Sequence, residues 1–531
     1  MNEKRTNFLT GASILAAATL IVKLIGMLYK IPLVNIIGDA GYGYFTTAYD
    51  IYSVLLMVST TGLPVAMSRM ISESKALGNT AQIQRIFRTS LAVFCTLGAA
   101  GTLGMLLFRS QLSVMATTFD TSAAAIACLA PSMFFICVVS AFRGFFQGQS
   151  NMTPTSVSQV FEALCKLAVG LAGAALVLKI TGKDTLAAGG AILGVTAGCG
   201  IAMIYLWLRY RKAIRGQSFD LGEVKSGKQT MKELLAIAVP ITLGSAGLQI
   251  INLIDTMVFM RRLTDAALFT QKAAEQAKGI YNFCQTIFNL PCAFIPAITI
   301  SIIPAITEHL TCGNRRAARQ VEDSAIRLMS LIAMPCAVGL TVLSGPVIQL
   351  LRGYTGNSLL TGASCLAVLG IAVIFNSLVL LTNAIMQSHG HVTLPVIHMF
   401  IGGIVKVIIN YFLVGIPDIN ILGAPVGTLC CYVTISILNL SAMNRTSGAF
   451  RVKIGRTMLR PLLAALAMGA AVLPSYRLVL HILPQKLACL FAVCVGAAVY
   501  FAFVVLLRVI TYEDCQFLPK GEKIAKILRV R

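Results

Sequence analysis

The chain has few charged residues, and acids are the scarcest of them. Asp and Glu number 20 among 531 residues, against 43 Lys and Arg, and charged residues make up only 12% of the chain. A soluble domain carries about 25% charged residues. The single Trp and a mean hydropathy of +0.81 point the same way. This composition excludes a soluble globule and indicates a membrane protein.

Sequence signatures of enzymes are also missing. Glycine-rich stretches such as 187–194 lack the Lys and Ser/Thr that hold phosphates in a nucleotide-binding loop. No nucleophile lies beside a base, and no paired carboxylates form an acid–base site. The 15 cysteines show no paired spacing. We therefore expect a protein that is not an enzyme and that needs no cofactor.

Three histidines, His389, His391 and His398, gather near one connection between apolar runs. That spacing is compatible with metal binding or pH sensing, but no further strong ligand follows in register. We therefore predict no metal site here.

Apolar runs of membrane-spanning length recur along the chain. A helix needs about 20 residues to cross about 30 Å of hydrocarbon, and about 14 such runs can be counted. They start near residues 8, 42, 88, 122, 153, 187, 233, 279, 325, 359, 392, 422, 459 and 486. We predict an all-α polytopic membrane protein with about 14 transmembrane helices.

The excess of basic residues falls mainly in alternate connections. By the positive-inside rule this distribution predicts that both termini are cytoplasmic. Because the basic residues follow the topology, we predict no nucleic-acid partner. The densest basic group joins the two halves of the chain, where we predict a linker at 216–232. This basic group is either a topology signal on an anionic leaflet or a site of regulatory binding. Its members are Arg209, Arg211, Lys212, Arg215, Lys225, Lys228 and Lys232.

An internal repeat organises the chain. Residues preceding Lys166 match residues preceding Lys406 at an offset of about 240 positions. The first set is Gln147, Gly148, Asn151, Thr153 and Pro154, and the second is Gln387, Ser388, His391, Thr393 and Pro395. We predict two six-helix lobes, 1–215 and 233–445, related by a pseudo-two-fold axis. Residues 446–531 would add two C-terminal helices and a basic cytoplasmic tail.

The two repeated lysines lie in the middle of apolar runs. A charge at that depth costs at least about 2.5 kcal/mol unless it meets a partner or a wet cavity, so such residues mark transport paths. Glu162 lies four residues before Lys166 and is its predicted ion-pair partner, either structural or displaced by substrate.

Lys406 has no acid at the matching position, which is Gly402. We predict that Asp255 pairs with Lys406 from another helix, with Asn410 one turn away from the lysine. A charge-reversing double swap that fails to rescue either single variant would count against the pair.

Prolines interrupt two of the predicted spans. Pro64 follows Gly62 in the second span, and Pro291 and Pro296 lie in the eighth. Proline frees backbone carbonyls that a moving lobe can pair again, so we predict hinges there, with packing kinks as the alternative.

Further residues resemble a known family, the stage V sporulation protein B group. This group belongs with the polysaccharide transporters and lipid II flippases of the multidrug, oligosaccharidyl-lipid and polysaccharide exporter superfamily. The resemblance rests on a motif near the N-terminus and on positions in the fifth and seventh spans. The residues are Lys23, Leu24, Ile25, Gly26, Lys30, Ile31, Pro32, Leu33, Ile37, Gly38, Asp39, Gly41, Tyr44, Tyr49, Ile51, Tyr52, Gly62, Leu63, Pro64, Ala66, Ser68, Gln159, Glu162, Lys166, Asn252, Leu253, Ile254, Asp255, Arg262 and Leu263.

The resemblance implies a two-lobed, alternating-access flippase in the bacterial cytoplasmic membrane. Its substrate would be an undecaprenyl-diphosphate-linked glycan, with lipid II as the first choice. Membrane lipids and cell-wall synthases are the partners that it suggests, and a monomer is the expected functional unit. The alternatives are a flippase for another lipid-linked polysaccharide and an exporter of cationic drugs. A scaffold or a polyprenol glycosyltransferase is a third class.

An anionic diphosphate needs cationic contacts. Lys23 and Lys30 lie seven residues apart on one face of the first span, where a diphosphate can reach both. We predict a cationic cavity from Lys23, Lys30, Arg69, Arg143, Lys166 and Lys406.

Two departures from the superfamily stand out. Some members hold sodium with carboxylates on the seventh and eleventh helices, but the eleventh span here offers His398, Lys406 and Asn410. Related flippases carry an arginine on the eighth helix, but the predicted eighth span, 281–304, has no arginine. These departures argue against sodium coupling and weaken the assignment of lipid II.

Overall fold

The computed structural model describes residues 2–215, 224–391, 393–446 and 454–509. All regular secondary structure in these ranges is helical. The first helices are α1 (Asn2–Met57), α2 (Leu63–Ala76), α3 (Thr80–Leu107), α4 (Arg109–Thr117), α5 (Ala123–Gly148), α6 (Thr153–Thr181), α7 (Asp184–Ile214) and α8 (Gly227–Asp265). The others are α9 (Gln271–Cys292), α10 (Ile295–Thr311), α11 (Arg315–Val342), α12 (Ser344–Arg352), α13 (Gly356–Ser388), α14 (Thr393–Val414), α15 (Gly423–Thr446), α16 (Ile454–Leu480) and α17 (Gln485–Leu506).

Eleven stretches of the described chain are long and apolar enough to cross a membrane. One of them, Ile21–Met57, contains parts of the first two predicted spans, because α1 consists of two helices that meet at a kink at Gly38, where φ is 74° and ψ is 177°. The seventh and eighth predicted spans correspond to α8 and to α9 with α10, which are not among the eleven. The prediction of an all-α polytopic membrane protein is confirmed, and the count of fourteen stays a prediction.

The chain forms two compact units, Met1–Gly279 and Ile280–Arg531. Within the first unit α8 packs against α1, α2, α3 and α4. Within the second, α11 packs against α13 and α16, and α14 packs against α15. The lobe boundaries derived from the repeat stay a prediction, because packing and sequence repetition are different criteria. Residues 216–223 of the predicted linker and the tail after residue 509 lie outside the described residues.

The sequence repeat corresponds to repeated local geometry. Gly78 and Gly313 both adopt a left-handed conformation, with φ near 70°, which glycine does without steric cost. The asparagine after each glycine then caps the next helix: the side chain of Asn79 accepts from a backbone N–H of α3, and that of Asn314 from one of α11. Short helices, α4 and α12, follow at matching places. Each half is therefore built to the same local plan.

Helix breaks occur where the sequence places glycine and proline. A π-helical turn, Val58–Gly62, ends immediately before α2, whose first turn contains Pro64. Pro291 lies in the last turn of α9, and Pro296 lies in the first turn of α10. A π turn often marks a functional site. The hinge role of these residues stays a prediction.

Candidate functional site

The ammonium group of Lys166 lies in an aromatic pocket of the first unit. It donates a hydrogen bond of 2.7 Å to the hydroxyl of Tyr49. It also lies 4.5 Å from the ring centroid of Tyr49 and 5.3 Å from that of Tyr29. Ring faces attract a cation by about 0.5 to 2 kcal/mol without neutralising it. The pocket therefore offers the half-buried ammonium a hydroxyl and two ring faces as partners.

Aromatic packing and a backbone contact hold this pocket in place. Tyr29 is fully buried, and its hydroxyl donates to the carbonyl oxygen of Ala191 on α7. Opposite Lys166, a Cβ atom at Gly194 would lie 2.4 Å from the backbone nitrogen of Gly170. Only glycine permits such an approach of α7 to α6. The position of Lys166 relative to α7 is thus set by a backbone contact.

Glu162 and Lys166 have other partners than those we predicted from their spacing. The carboxylate of Glu162 accepts a hydrogen bond of 3.0 Å from Arg143 on α5. The Nε of Arg143 also donates to the hydroxyl of Ser158, at 3.0 Å. Within the described chain no carboxylate lies within 4 Å of the Lys166 ammonium. The predicted Glu162–Lys166 pair is therefore wrong, because a neighbouring helix supplies a better-placed cation.

The other predicted cations of the first unit have diverse surroundings. Lys23 is exposed, and Lys30 is half-buried and close enough to Tyr49 to interact with it electrostatically. Arg69 forms an exposed ion pair with Glu73, at 2.9 Å. Their contact with substrate stays a prediction.

In the second unit Lys406 is half-buried on α14 and lies near Tyr432 of α15. Asn410, one turn further along α14, is buried. A Cβ atom at Gly427 of α15 would lie 2.1 Å from the Asn410 side-chain oxygen. The pairing of α14 with α15 thus repeats the glycine-mediated pairing of α6 with α7. Asp255 is buried in the first unit, and its predicted pairing with Lys406 stays a prediction.

Three helices of the second unit share a buried network of histidine, asparagine and threonine side chains. The side-chain oxygen of Asn439 on α15 accepts from Nδ1 of His398 on α14, at 2.7 Å. The Asn439 amide donates to Thr382 and to Asn383 on α13, both at 2.8 Å. Because the amide uses its nitrogen as a donor twice, its oxygen must be the acceptor, and Nδ1 of His398 carries a proton. His398 is thus a structural residue of this network, and the described residues contain no cluster that could hold a metal ion.

An ion pair between a buried lysine and a half-buried acid was not predicted from the sequence. Lys278 on α9 is only 2% exposed, and its ammonium lies 3.6 Å from the carboxylate of Asp50 on α1. Helix α9 begins at Gln271, ahead of the predicted start of the eighth span near Gly279. Helix α9 therefore carries a cation, Lys278, just before the predicted span 281–304, and the absence of arginine from that span stands. An acid at Asp50, inside the predicted second span, was the signal that could have revealed the pair.

This arrangement can bind an anion but has no group suited to covalent chemistry. The Lys166 ammonium uses one N–H for Tyr49, which leaves two donors for a ligand oxygen. A phosphate oxygen accepts such charge-assisted bonds more strongly than a hydroxyl does.

Comparison with known proteins supports the same class. The sequence profile of a family described as "Polysaccharide biosynthesis protein" matches residues 8–310. An uncharacterised membrane protein of Bacillus subtilis, YabM, is 27% identical over 98% of this chain and 96% of its own length. The lipid II flippase MurJ of the same organism is 25% identical over 88% of both chains. Its stage V sporulation protein B is 24% identical over 83% of this chain and 84% of its own.

A solved structure shares the fold. A structure titled "Lipid II flippase MurJ, inward closed conformation" superposes with a TM-score of 0.71. It covers 93% of this chain and 98% of its own, at 13% sequence identity. The family resemblance that the sequence carries is thereby confirmed. The chain is a multi-pass membrane protein and belongs to the polysaccharide biosynthesis protein family.

Proposed function

We propose that the protein is an alternating-access flippase for a lipid-linked cell-wall precursor. The cargo that we propose first is lipid II, moved from the inner to the outer leaflet of the bacterial cytoplasmic membrane for peptidoglycan synthesis. Two observations favour this class: the family is described by polysaccharide biosynthesis, and one relative over most of the chain is named as a lipid II flippase. In this proposal both termini are cytoplasmic.

One observation carries the proposal of an anionic cargo. Lys166 lies deep in an apolar helix, yet its ammonium meets tyrosine rings and a hydroxyl instead of a carboxylate. A cation retained without neutralisation at membrane depth fits a path for a negatively charged group. An exporter of cationic drugs would need acids in this place, so the lysine disfavours that alternative.

The remaining predicted residues take supporting roles in this proposal. Lys23, Lys30 and Lys406 offer further positive charge along the path of the diphosphate. Glu162 keeps Arg143 in place. The helix breaks at Gly62 and Pro291 supply the bending that alternating access requires.

The decisive experiment uses a bacterium whose own lipid II flippases can be switched off. Expression of this chain should restore survival and the exposure of lipid II on the outer leaflet. Lys166→Gln should reduce that exposure by about 10- to 100-fold, because one charge-assisted contact is worth roughly 1.5 to 3 kcal/mol. Lys179→Gln is the matched control, since Lys179 lies exposed in the last turn of the same helix.

The outcomes separate cargo from mechanism. A well-expressed chain that fails to rescue would overturn lipid II as cargo and favour another lipid-linked glycan. Rescue that survives Lys166→Gln unchanged would contradict the role of this lysine in binding the cargo.

A further inference from the structure

The start of α9 lies unusually close to α1 within the first unit. A Cβ atom at Gly279 would lie 1.9 Å from the carbonyl oxygen of Asp39, and one at Gly43 would lie 2.6 Å from that of Glu275. No residue other than glycine fits at either position without moving a backbone. Two glycines thus bring the two helices into backbone contact.

Several polar side chains lie in this contact. Lys278 has a charge partner in Asp50 and also donates to the hydroxyl of Thr47 on α1. Asp50 in turn accepts from Thr256 of α8 at 3.1 Å. The cation of the contact is therefore satisfied, which matters because a buried unpaired charge costs several kcal/mol.

The acid of the contact is not satisfied in the same way. Glu275 is fully buried, and its Oε1 accepts from the hydroxyl of Thr121 at 3.0 Å. Its Oε2 is buried beside Gly43 and has no hydrogen-bond partner among the described residues. An ionised carboxylate with an orphan oxygen is costly, whereas a neutral carboxyl group loses much less by burial.

We propose that Glu275 is a proton-binding residue, and that the bound proton holds the start of α9 against α1. Loss of the proton would place a charge on the orphan oxygen, and the first two turns of α9 would then separate from α1 to hydrate it. By the topology that we predict, this contact lies toward the outer side of the membrane.

Other charged and titratable groups surround the contact, and their positions single out Glu275. On α1 they are Asp39, Tyr44 and Asp50, on α7 Asp184, after α4 Asp120, and on α9 Lys278. Asp50 is paired with Lys278, and Asp120 accepts from Ser110. Burial raises the pKa of the Glu275 carboxyl, and Lys278, Thr121 and Thr117 partly oppose this effect. A raised pKa in the closed contact means that closure is favoured at low pH and weakens as pH rises.

Hydrogen–deuterium exchange of the full chain in lipid nanodiscs tests the proposal without reference to any cargo. Protection of the amides in 271–279, corrected for intrinsic exchange, should fall as the pH is raised from acidic to mildly alkaline values. The fall should reach up to about tenfold per pH unit where Glu275 titrates. Glu275→Gln, which imitates the protonated acid, should keep the segment protected throughout. Glu73→Gln, at an exposed acid on α2, should behave as the natural chain does.

A second variant tests the same proposal if Glu275→Gln does not fold. Thr121→Val removes the donor that stabilises the ionised carboxylate, so the exchange transition should move to higher pH. A transition that stays in place in both variants would overturn the assignment to Glu275. Protection that does not change with pH in the natural chain would overturn the proton-binding role itself.

Discussion

The two halves of the chain keep a lysine at the same place but surround it differently. At an offset of about 240 residues, Arg143, Ser158 and Glu162 of the first half correspond to Asn383, His398 and Gly402 of the second. The first set forms an ionic network between α5 and α6. In the second half, His398 and Asn383 join Asn439 in a network of α13, α14 and α15 that contains no carboxylate. The positions are equivalent, and the chemistry is not.

This difference teaches which features the fold needs and which it does not. The glycine-mediated helix pairing recurs in both halves, at Gly194 and at Gly427, so the backbone plan is shared. The polar residues around the two lysines differ between the halves, so the fold does not require either network in both halves. Lys166 and Lys406 persist although their neighbours differ. A shared role in binding an anion explains this better than a shared structural partner does.

The largest effect expected in a test of this comparison comes from Asn439→Leu. When the two halves are aligned on Gly194 and Gly427, the residue equivalent to Asn439 in the first half is Leu206. The substitution leaves His398, Thr382 and Asn383 without their common partner, and each orphaned buried group costs about 1 to 3 kcal/mol. We expect the free energy of unfolding in detergent to fall by about 3 kcal/mol or more. Asn357→Leu, at an exposed site on α13, should change it little, and equal losses would contradict the network.

Next in size is the contrast between Gly194→Ala and Gly427→Ala. A Cβ atom at Gly194 meets backbone atoms of Gly170, whereas one at Gly427 first meets the side-chain oxygen of Asn410. Backbone cannot move aside as a side chain can, so Gly194→Ala should cost about 1 to 3 kcal/mol and Gly427→Ala less. Thermal unfolding in detergent measures both. Gly104→Ala, with open space around it, is the control and should be neutral or stabilising. A larger loss for Gly427→Ala than for Gly194→Ala would contradict the difference between a backbone contact and a side-chain contact.

Glu162→Gln should have a smaller effect and removes only charge. Arg143 and Glu162 are partly exposed, so the pair contributes about 1 kcal/mol and not the value of a fully buried pair. Unfolding should shift by that amount, and lipid II exposure should fall moderately as Arg143 loses its anchor. Glu233→Gln, which breaks a more exposed pair with Lys225, is the control. A loss no greater than that of the control would contradict an anchoring role.

The smallest expected effect is that of Arg69→Ala. Its ion pair with Glu73 is exposed, and such pairs contribute about 0 to 0.5 kcal/mol on a helix. Stability should be nearly unchanged. Lipid II exposure is then a clean readout, since any loss of more than about threefold would report a contact with substrate and not a folding defect.

Much of this protein could be predicted from its sequence. Scarce charge and long apolar runs determine a helical membrane protein, because only helices and closed barrels satisfy the backbone in lipid. The repeat predicted the equivalent places of Lys166 and Lys406, and the structure adds matching helix starts after Gly78 and Gly313. The N-terminal motif predicted the family. Each of these depends on composition or local spacing, which the chain states directly.

The choice of partners was decided only by tertiary structure. Helical periodicity places Glu162 and Lys166 on one face, but it does not say which helix packs against that face. Arg143 and Tyr49 approach from α5 and α1, and so the acid and the lysine separate. In the sequence, Lys278 and Glu275 are polar residues outside a predicted span. The close approach of α9 to α1 at Gly43 buries both side chains. A sequence fixes which side chains share a helix face, whereas the geometry of helix packing determines what each face meets.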